Sequence, residues 1–137
     1  MSLMEQAQVL VQILLAAFLS MIIGLDRENR NQPAGLRTHM LVGLGSCLFT
    51  VLSIYAFAAS DPARVAAQVV VGIGFLGAGT IMQHNGEPHH LTTAASIWAT
   101  AAIGMAVGTG AWFLAVGTTL IIWIVLAVVR RWTKAAG

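Results

Sequence analysis

The stretch Asp26–His39, DRENRNQPAGLRTH, gathers side chains able to hold an anion, a cation or a proton in a chain that is otherwise nearly all apolar. It carries two of the five acidic residues and three of the seven basic ones. Asp26 and Arg30 are four apart, the spacing of a helical ion pair worth about 0.2–0.5 kcal/mol on an exposed surface. Pro33 presets its own φ and Gly35 offers a conformation that residues with a Cβ avoid, so a rigid turn is expected here. Arg37 and Thr38 then open a helix, where unpaired N–H groups favour anions. Two readings stay open: a water-facing loop whose arginines bind lipid phosphate, and a preorganised recognition surface.

A second polar group is His84, Glu87, His89 and His90. If these converge with Asp26, Glu28 and His39, imidazole and carboxylate would suit a transition metal, whereas magnesium would want oxygen ligands from Asp26, Glu28 and Glu87. No regular ligand spacing supports either, so the metal is left unknown and no cofactor is assigned. Thr92 or Thr93 is expected to cap the helix that follows, its hydroxyl accepting an unpaired N–H. No nucleophile with a base and no pocketed carboxylate pair supports catalysis, so an enzyme is not expected.

The elements that must position these groups are membrane helices. Uncharged runs cover residues 6–25, 38–60, 65–86 and 88–129. A bilayer core of about 30 Å needs roughly 20 apolar residues per helix. The fourth run, as one helix at about 1.5 Å per residue, would reach about twice that thickness, so it must turn. Gly104, Gly108 and Gly110 before Trp112 place the turn near Thr109–Ala111. The expected fold is all-α, a compact bundle of five transmembrane helices near 6–25, 39–59, 65–83, 92–108 and 112–130. With the amino terminus outside and the carboxyl terminus cytoplasmic, the inside segments carry Arg27, Arg30, Arg37, Arg130, Arg131 and Lys134 and the outside ones only Arg64, as the positive-inside rule requires. MSLMEQAQ has no basic residue before the first apolar run, so no cleavable signal peptide is expected.

Composition agrees. The 137-residue chain is 58% hydrophobic and 9% charged, far below the roughly 25% charged residues of soluble domains. No second domain or repeat is visible, and no aromatic and basic interleaving points to nucleic acid; the basic side chains have anionic lipid headgroups as their default partners. Cys47 falls in the second span as a small buried filler. Trp112 and Trp132, about 30 Å apart on a helix, suit opposite interfaces, while Trp98 and Trp123 read as packing residues.

Small residues recur every fourth position at Ala16, Ser20 and Gly24 and at Thr100, Gly104 and Gly108, stripes that let helices approach closely within one chain or in a homo-oligomer. Gly72, Gly74, Gly77 and Gly79 in GIGFLGAG formally match a dinucleotide fingerprint, but a membrane span lacks the strand and the acidic residue that motif needs. Close helix contact is the better reading, and an unwound segment lining a polar cavity is the alternative. None of the five cores contains Asp, Glu, Lys or Arg, which weighs against coupled transport. Gln12, Gln68, Ser46, Thr50, Ser53, Ser96 and Thr100 are read as bridging helices or bonding their own helix carbonyls.

GLDRENRNQPAGLRTHMLVGLGSCLFT, GIGFLGAGTI and LTTAASIWATAAIGMAVGTG together resemble the three signatures of the MgtC/SapB family of bacterial membrane proteins, over roughly residues 20–110. The resemblance implies a multi-pass inner-membrane protein with an odd number of spans and an outside amino terminus. It implies association with growth in low magnesium, survival of pathogens in host cells and membrane energetics, through binding and modulating other membrane proteins. Carried over, it marks Asp26, Arg27, Glu28, Pro33, Ala34, Gly35, Leu36, Arg37, Thr38 and His39. It also marks Gly74, Gly77, Gly79, Leu91, Thr92, Thr93, Ala94, Ser96, Trp98 and Gly104. Gln32 stands where a basic residue often precedes Pro-Ala-Gly, and His90 where a glycine usually precedes Leu-Thr-Thr. Longer members carry a regulatory domain resembling an ACT fold, and this chain stops at Gly137. The function expected is a membrane regulator that binds lipids and a membrane-protein partner; the alternative is a small channel or transporter for a cation or other small solute using the glycine-rich third helix.

Overall fold

Ser2 starts the first helix: its hydroxyl accepts the Glu5 N–H at 3.2 Å while the Glu5 carboxylate accepts the Ser2 N–H at 2.6 Å, a reciprocal cap. The computed structural model describes residues 1–57, 59 and 61–136, with side chains through residue 134. In chain order it forms α1 (Leu3–Asn29), α2 (Leu36–Tyr55), α3 (Ala63–Ala78), β1 (Met82–His84), β2 (Glu87–His89), α4 (Leu91–Gly108), α5 (Trp112–Ile124) and, after a π-helical turn at Val125–Val129, α6 (Arg130–Ala136).

The fold is the expected helical membrane bundle. Four helices have membrane length and apolarity, Leu3–Asn29, Leu36–Tyr55, Leu91–Gly108 and Trp112–Lys134. The third is shorter, 16 residues, or about 24 Å at 1.5 Å per residue. The expected second span to residue 59 ends as helix at Tyr55, and residue 58 lies outside the described residues. The expected third span to residue 83 stops at Ala78, and a hairpin takes the next residues. Its cause is Asn85-Gly86, with φ of 53° and 79°; a two-residue turn with both φ positive matches the twist of paired strands. Met82 pairs with His89 and His84 with Glu87. The turn between α4 and α5 falls at Thr109–Ala111 as expected, with Gly110 at φ 85°.

Helices α1, α2 and α4 pack on one another, α3 lies against α2 and α4, and α5 against α4 and α1. Both small-residue stripes are spent inside the chain. A Cβ at Gly24 would sit 2.9 Å from the Leu36 Cα, and Gly43 of α2 abuts Ser20 of α1. Against the same helix, a Cβ at Gly104 of α4 would run into the Gly43 carbonyl, and one at Gly108 would lie 2.8 Å from the Cys47 oxygen. Without a hydrophobic drive between helices in lipid, such close backbone approach is what holds them together. One apolar core, including Leu19, Ile23, Cys47, Val51, Ile103 and Val107, fills the centre; a smaller one joins Ala34 and Val42 to Val69, Ile97 and Ala101. Trp98 is not the packing residue expected: it is 57% exposed on the outer face of α4, and Trp123 is also exposed. Trp112 and Trp132 are exposed at either end of the last helix, as interface anchors would be.

Candidate functional site

Helix α1 continues past Leu25 to Asn29, which brings Asp26 and Arg30 onto one turn. Arg30 Nε donates to Asp26 Oδ1 at 2.9 Å, and Arg27 Nη1 lies 3.9 Å from the other carboxylate oxygen. Arg27 is only 3% exposed. Asp26 Oδ2 and Arg27 Nε are both buried without a hydrogen bond among the described residues. The like charge of Arg130 is felt at Arg27, which puts the start of α6 toward this end of the bundle.

The turn itself is made differently from expectation. Asn31, at φ 54°, takes the left-handed position, with its N–H donating to the Glu28 carbonyl and the Gln32 N–H to the Arg27 carbonyl at 3.1 Å. That pattern satisfies the carbonyls left over at a helix end, and asparagine tolerates it better than most residues. Gly35 has φ −110° and is not left-handed. Its smallness serves space instead: a Cβ there would collide with the Glu28 carboxylate. That carboxylate accepts the Leu36 N–H at 2.8 Å, placing an anion from α1 on the amino-terminal end of α2. Pro33 and Arg37 are exposed, and Thr38 is half-buried.

His39 is fully buried, not at a water-facing surface. Its Nδ1 lies 2.8 Å from the Gly35 carbonyl and its Nε2 2.9 Å from the Ser96 hydroxyl of α4. Ser96 also lies 2.8 Å from the Thr93 carbonyl. Thr93 Oγ1 donates to Gln32 Oε1 at 3.2 Å, so the start of α4 is tied to the hinge. The expected threonine cap is therefore absent: α4 begins after His90, at φ 68°, with no side-chain cap, and Thr92 is exposed. Thr93 spends its hydroxyl on Gln32.

His84, His89 and His90 stay apart from His39. They sit on or beside the hairpin, with ring centres 6.1 Å apart for His84–His89 and 6.4 Å for His89–His90. Among the described residues, no three His, Cys, Asp or Glu side chains come together as a metal site. The expected convergence fails because His39 is turned into the bundle.

The glycines of α3 divide. Gly77 packs on α4, where a Cβ would lie 3.3 Å from the Ala94 carbonyl; Gly79 ends the helix. At Gly72 and Gly74 a Cβ would meet nothing within 4 Å. The helix stays regular through all of them up to Gly79. Gly72 lines a cavity of about 540 Å³ between α2 and α3, walled mainly by apolar side chains together with Thr38, Ser46 and Gln68. Sequence reasoning missed the partnership of Gln32 with Thr93 and of His39 with Ser96. The signal was there: Thr93 and Ser96 are three apart, hence on one helix face.

The chain matches the MgtC family over residues 13–135. It is 44% identical over 135 residues to YhiD of Escherichia coli (strain K12), whose name provisionally describes it as a magnesium transporter; the match covers 93% of this chain and 63% of that one. It is 42% identical over 113 residues to protein MgtC of Salmonella typhimurium (strain 14028s), covering 82% and 48%. With protein SapB of Bacillus subtilis (strain 168) it shares 38% identity over 111 residues, covering 74% and 48%. The chain thus spans from about half to just under two thirds of these curated relatives. No solved structure matches it. By the extent of these matches, and by a helical bundle whose hinge and small-residue seams use the motif residues, the chain belongs to the MgtC family.

Proposed function

We propose that this protein is a non-enzymatic regulator in the bacterial inner membrane that binds and modulates other membrane proteins through its hinge face. Membership in the MgtC family supports a link to magnesium physiology. The observation that carries the reading is the construction of the hinge. Glu28, Gln32 and His39 are each tied down, to Leu36, Thr93 and Ser96, so the backbone around Pro33 and Arg37 is held rigid while both side chains stay exposed. A surface already ordered loses little entropy on binding. An amino terminus outside and a carboxyl end in the cytoplasm are supported by the six basic residues, against one, that five spans would place on the inner side.

The competing reading is a small cation channel or carrier, supported by the name of the YhiD relative. Against it stand the polar groups inside the bundle. Ser20, Thr50, Thr100 and Thr119 each donate to the carbonyl four residues earlier on their own helix, so their hydroxyl protons are already committed within the bundle. On the regulator reading, purified protein in liposomes should show no specific flux of magnesium, protons or other small ions. Crosslinking in membranes should recover a defined partner that Arg37→Ala loses while insertion is kept. Robust flux abolished by Asp26→Asn would establish transport instead.

A further inference from the structure

Three of the chain's four histidines fall between residues 84 and 90, with Glu87 among them. Their spacing in sequence has no pattern, but strand pairing gives them one. His84 stands directly opposite Glu87, and Glu87 and His89 are two apart on β2. Opposite partners share a face and side chains alternate along a strand, so His84, Glu87 and His89 lie on one face of the ribbon, the two histidines as a diagonal pair. Their ring centres are 6.1 Å apart. Two imidazoles sharing one tetrahedral ion, with metal–nitrogen bonds of about 2.0–2.1 Å, have ring centres about 5 Å apart. Side-chain rotation covers that difference.

All three side chains are exposed, and none makes a hydrogen bond or ion pair among the described residues. As they stand, no three of them close on a common point. Glu87 completes the set by turning toward His84, since directly opposite residues have Cβ atoms about 4.5–5.5 Å apart. Exposed side chains change rotamer in picoseconds to nanoseconds and need no backbone movement. The backbone beneath is fixed. The Asn85-Gly86 turn sets the register, and the Thr80 and Ile81 N–H groups donate to the Gly77 and Ala78 carbonyls where α3 ends. Beyond β2, the His90 carbonyl accepts the Ala94 N–H of α4 at 3.1 Å.

Two imidazoles and a carboxylate suit zinc or copper(II), with copper held more tightly. Magnesium demands near-octahedral oxygen coordination, and Glu87 is the single carboxylate on this face. His90, at φ 68°, falls outside the paired ladder. We propose that His84, Glu87 and His89 form a binding site for one divalent transition-metal ion. The bound ion ties β1 to β2, and with them the end of α3 to the start of α4. The site stands apart from the hinge, so it holds or fails independently of the regulator reading.

The test uses the full chain in detergent micelles, purified without a polyhistidine tag and stripped with EDTA. Competition against a zinc indicator should show one zinc ion per chain, undisturbed by a hundredfold excess of magnesium. His84→Ala and His89→Ala should each weaken binding at least about tenfold and Glu87→Gln at least about threefold, while His90→Gln leaves it within about twofold. All three ligands are exposed, so replacing them leaves the bundle folded. With copper(II), electron paramagnetic resonance should show coupling to two imidazole nitrogens, and to one in either histidine variant. Gln83→His added to His84→Ala should not recover binding, because neighbouring residues of a strand point to opposite faces. Equal zinc affinity in the parent and His84→Ala, copper coupling unchanged in either histidine variant, loss on His90→Gln, or recovery through Gln83→His would overturn the proposal. So would several weakly held zinc ions per chain that no single variant removes.

Discussion

The His39 imidazole reaches from α2 to the Ser96 hydroxyl of α4, Nε2 to Oγ at 2.9 Å, with both residues buried. A carbonyl only accepts, so the 2.8 Å contact of Nδ1 with Gly35 fixes the ring proton on Nδ1. Ser96 has one hydroxyl proton and two neighbours able to take it, Nε2 of the neutral ring and the Thr93 carbonyl at 2.8 Å. The hinge, α2 and α4 therefore share one hydrogen-bonded unit.

From that unit follows a coupling. His39→Leu leaves the Gly35 carbonyl without its side-chain donor and Ser96→Ala leaves Nε2 bare, each lowering stability by about 1–3 kcal/mol. Because the two act on one contact, the double variant loses less than the sum, by about 0.5–3 kcal/mol. Thermal unfolding in detergent measures the cycle; strict additivity would dissolve the unit.

Gly104 and Gly74 are expected to respond in opposite ways. Gly104→Ala drives a methyl against the Gly43 carbonyl and should cost about 1–3 kcal/mol as overpacking. Gly74→Ala fills open space and should be neutral or stabilising. The same unfolding assay compares them.

Glu28 acts on α2 from outside it. Glu28→Ala removes the acceptor of the Leu36 N–H, an end cap worth about 0.5–2 kcal/mol. Glu28→Gln keeps an acceptor oxygen and gives up only the charge at the helix end, about 0.3–1 kcal/mol. Hydrogen exchange at Leu36 should quicken more in the first variant.

His90 holds a left-handed backbone position at φ 68°, where a residue with a Cβ is strained by about 1–2 kcal/mol. Glycine relieves that strain but adds about 0.5–1 kcal/mol of entropy cost. His90→Gly should thus raise stability by up to about 1 kcal/mol, read as a higher unfolding temperature.

Hydropathy and charge made the helices legible, because a bilayer imposes length and apolarity on whatever crosses it. The stripes from Ala16 and Thr100 were equally readable as close-contact surfaces. That both face α2 was not, since spacing names a face and not its neighbour. The hairpin was missed although Asn85-Gly86 announces it, because its flanking strands are only three residues each and the apolar run continues through Ile81 and Met82. In the hinge, residue types pointed to Asp26, Glu28 and Arg37, but their roles depended on contacts between elements. Gly35 was expected to supply a backbone angle, and what it supplies is room for Glu28. His39 was expected with the loop histidines; one turn into α2, it faces Ser96.

The central claim is that hinge, hairpin and carboxyl end lie in one aqueous compartment. Single cysteines at Arg30→Cys, Gln83→Cys, Lys134→Cys and Asp61→Cys, in a Cys47→Ala background, would be treated with an impermeant maleimide in intact spheroplasts and again after lysis. The account predicts that only Asp61→Cys reacts before lysis and that the other three react together after it. Labelling of Arg30→Cys and Lys134→Cys on opposite sides of the membrane would contradict it.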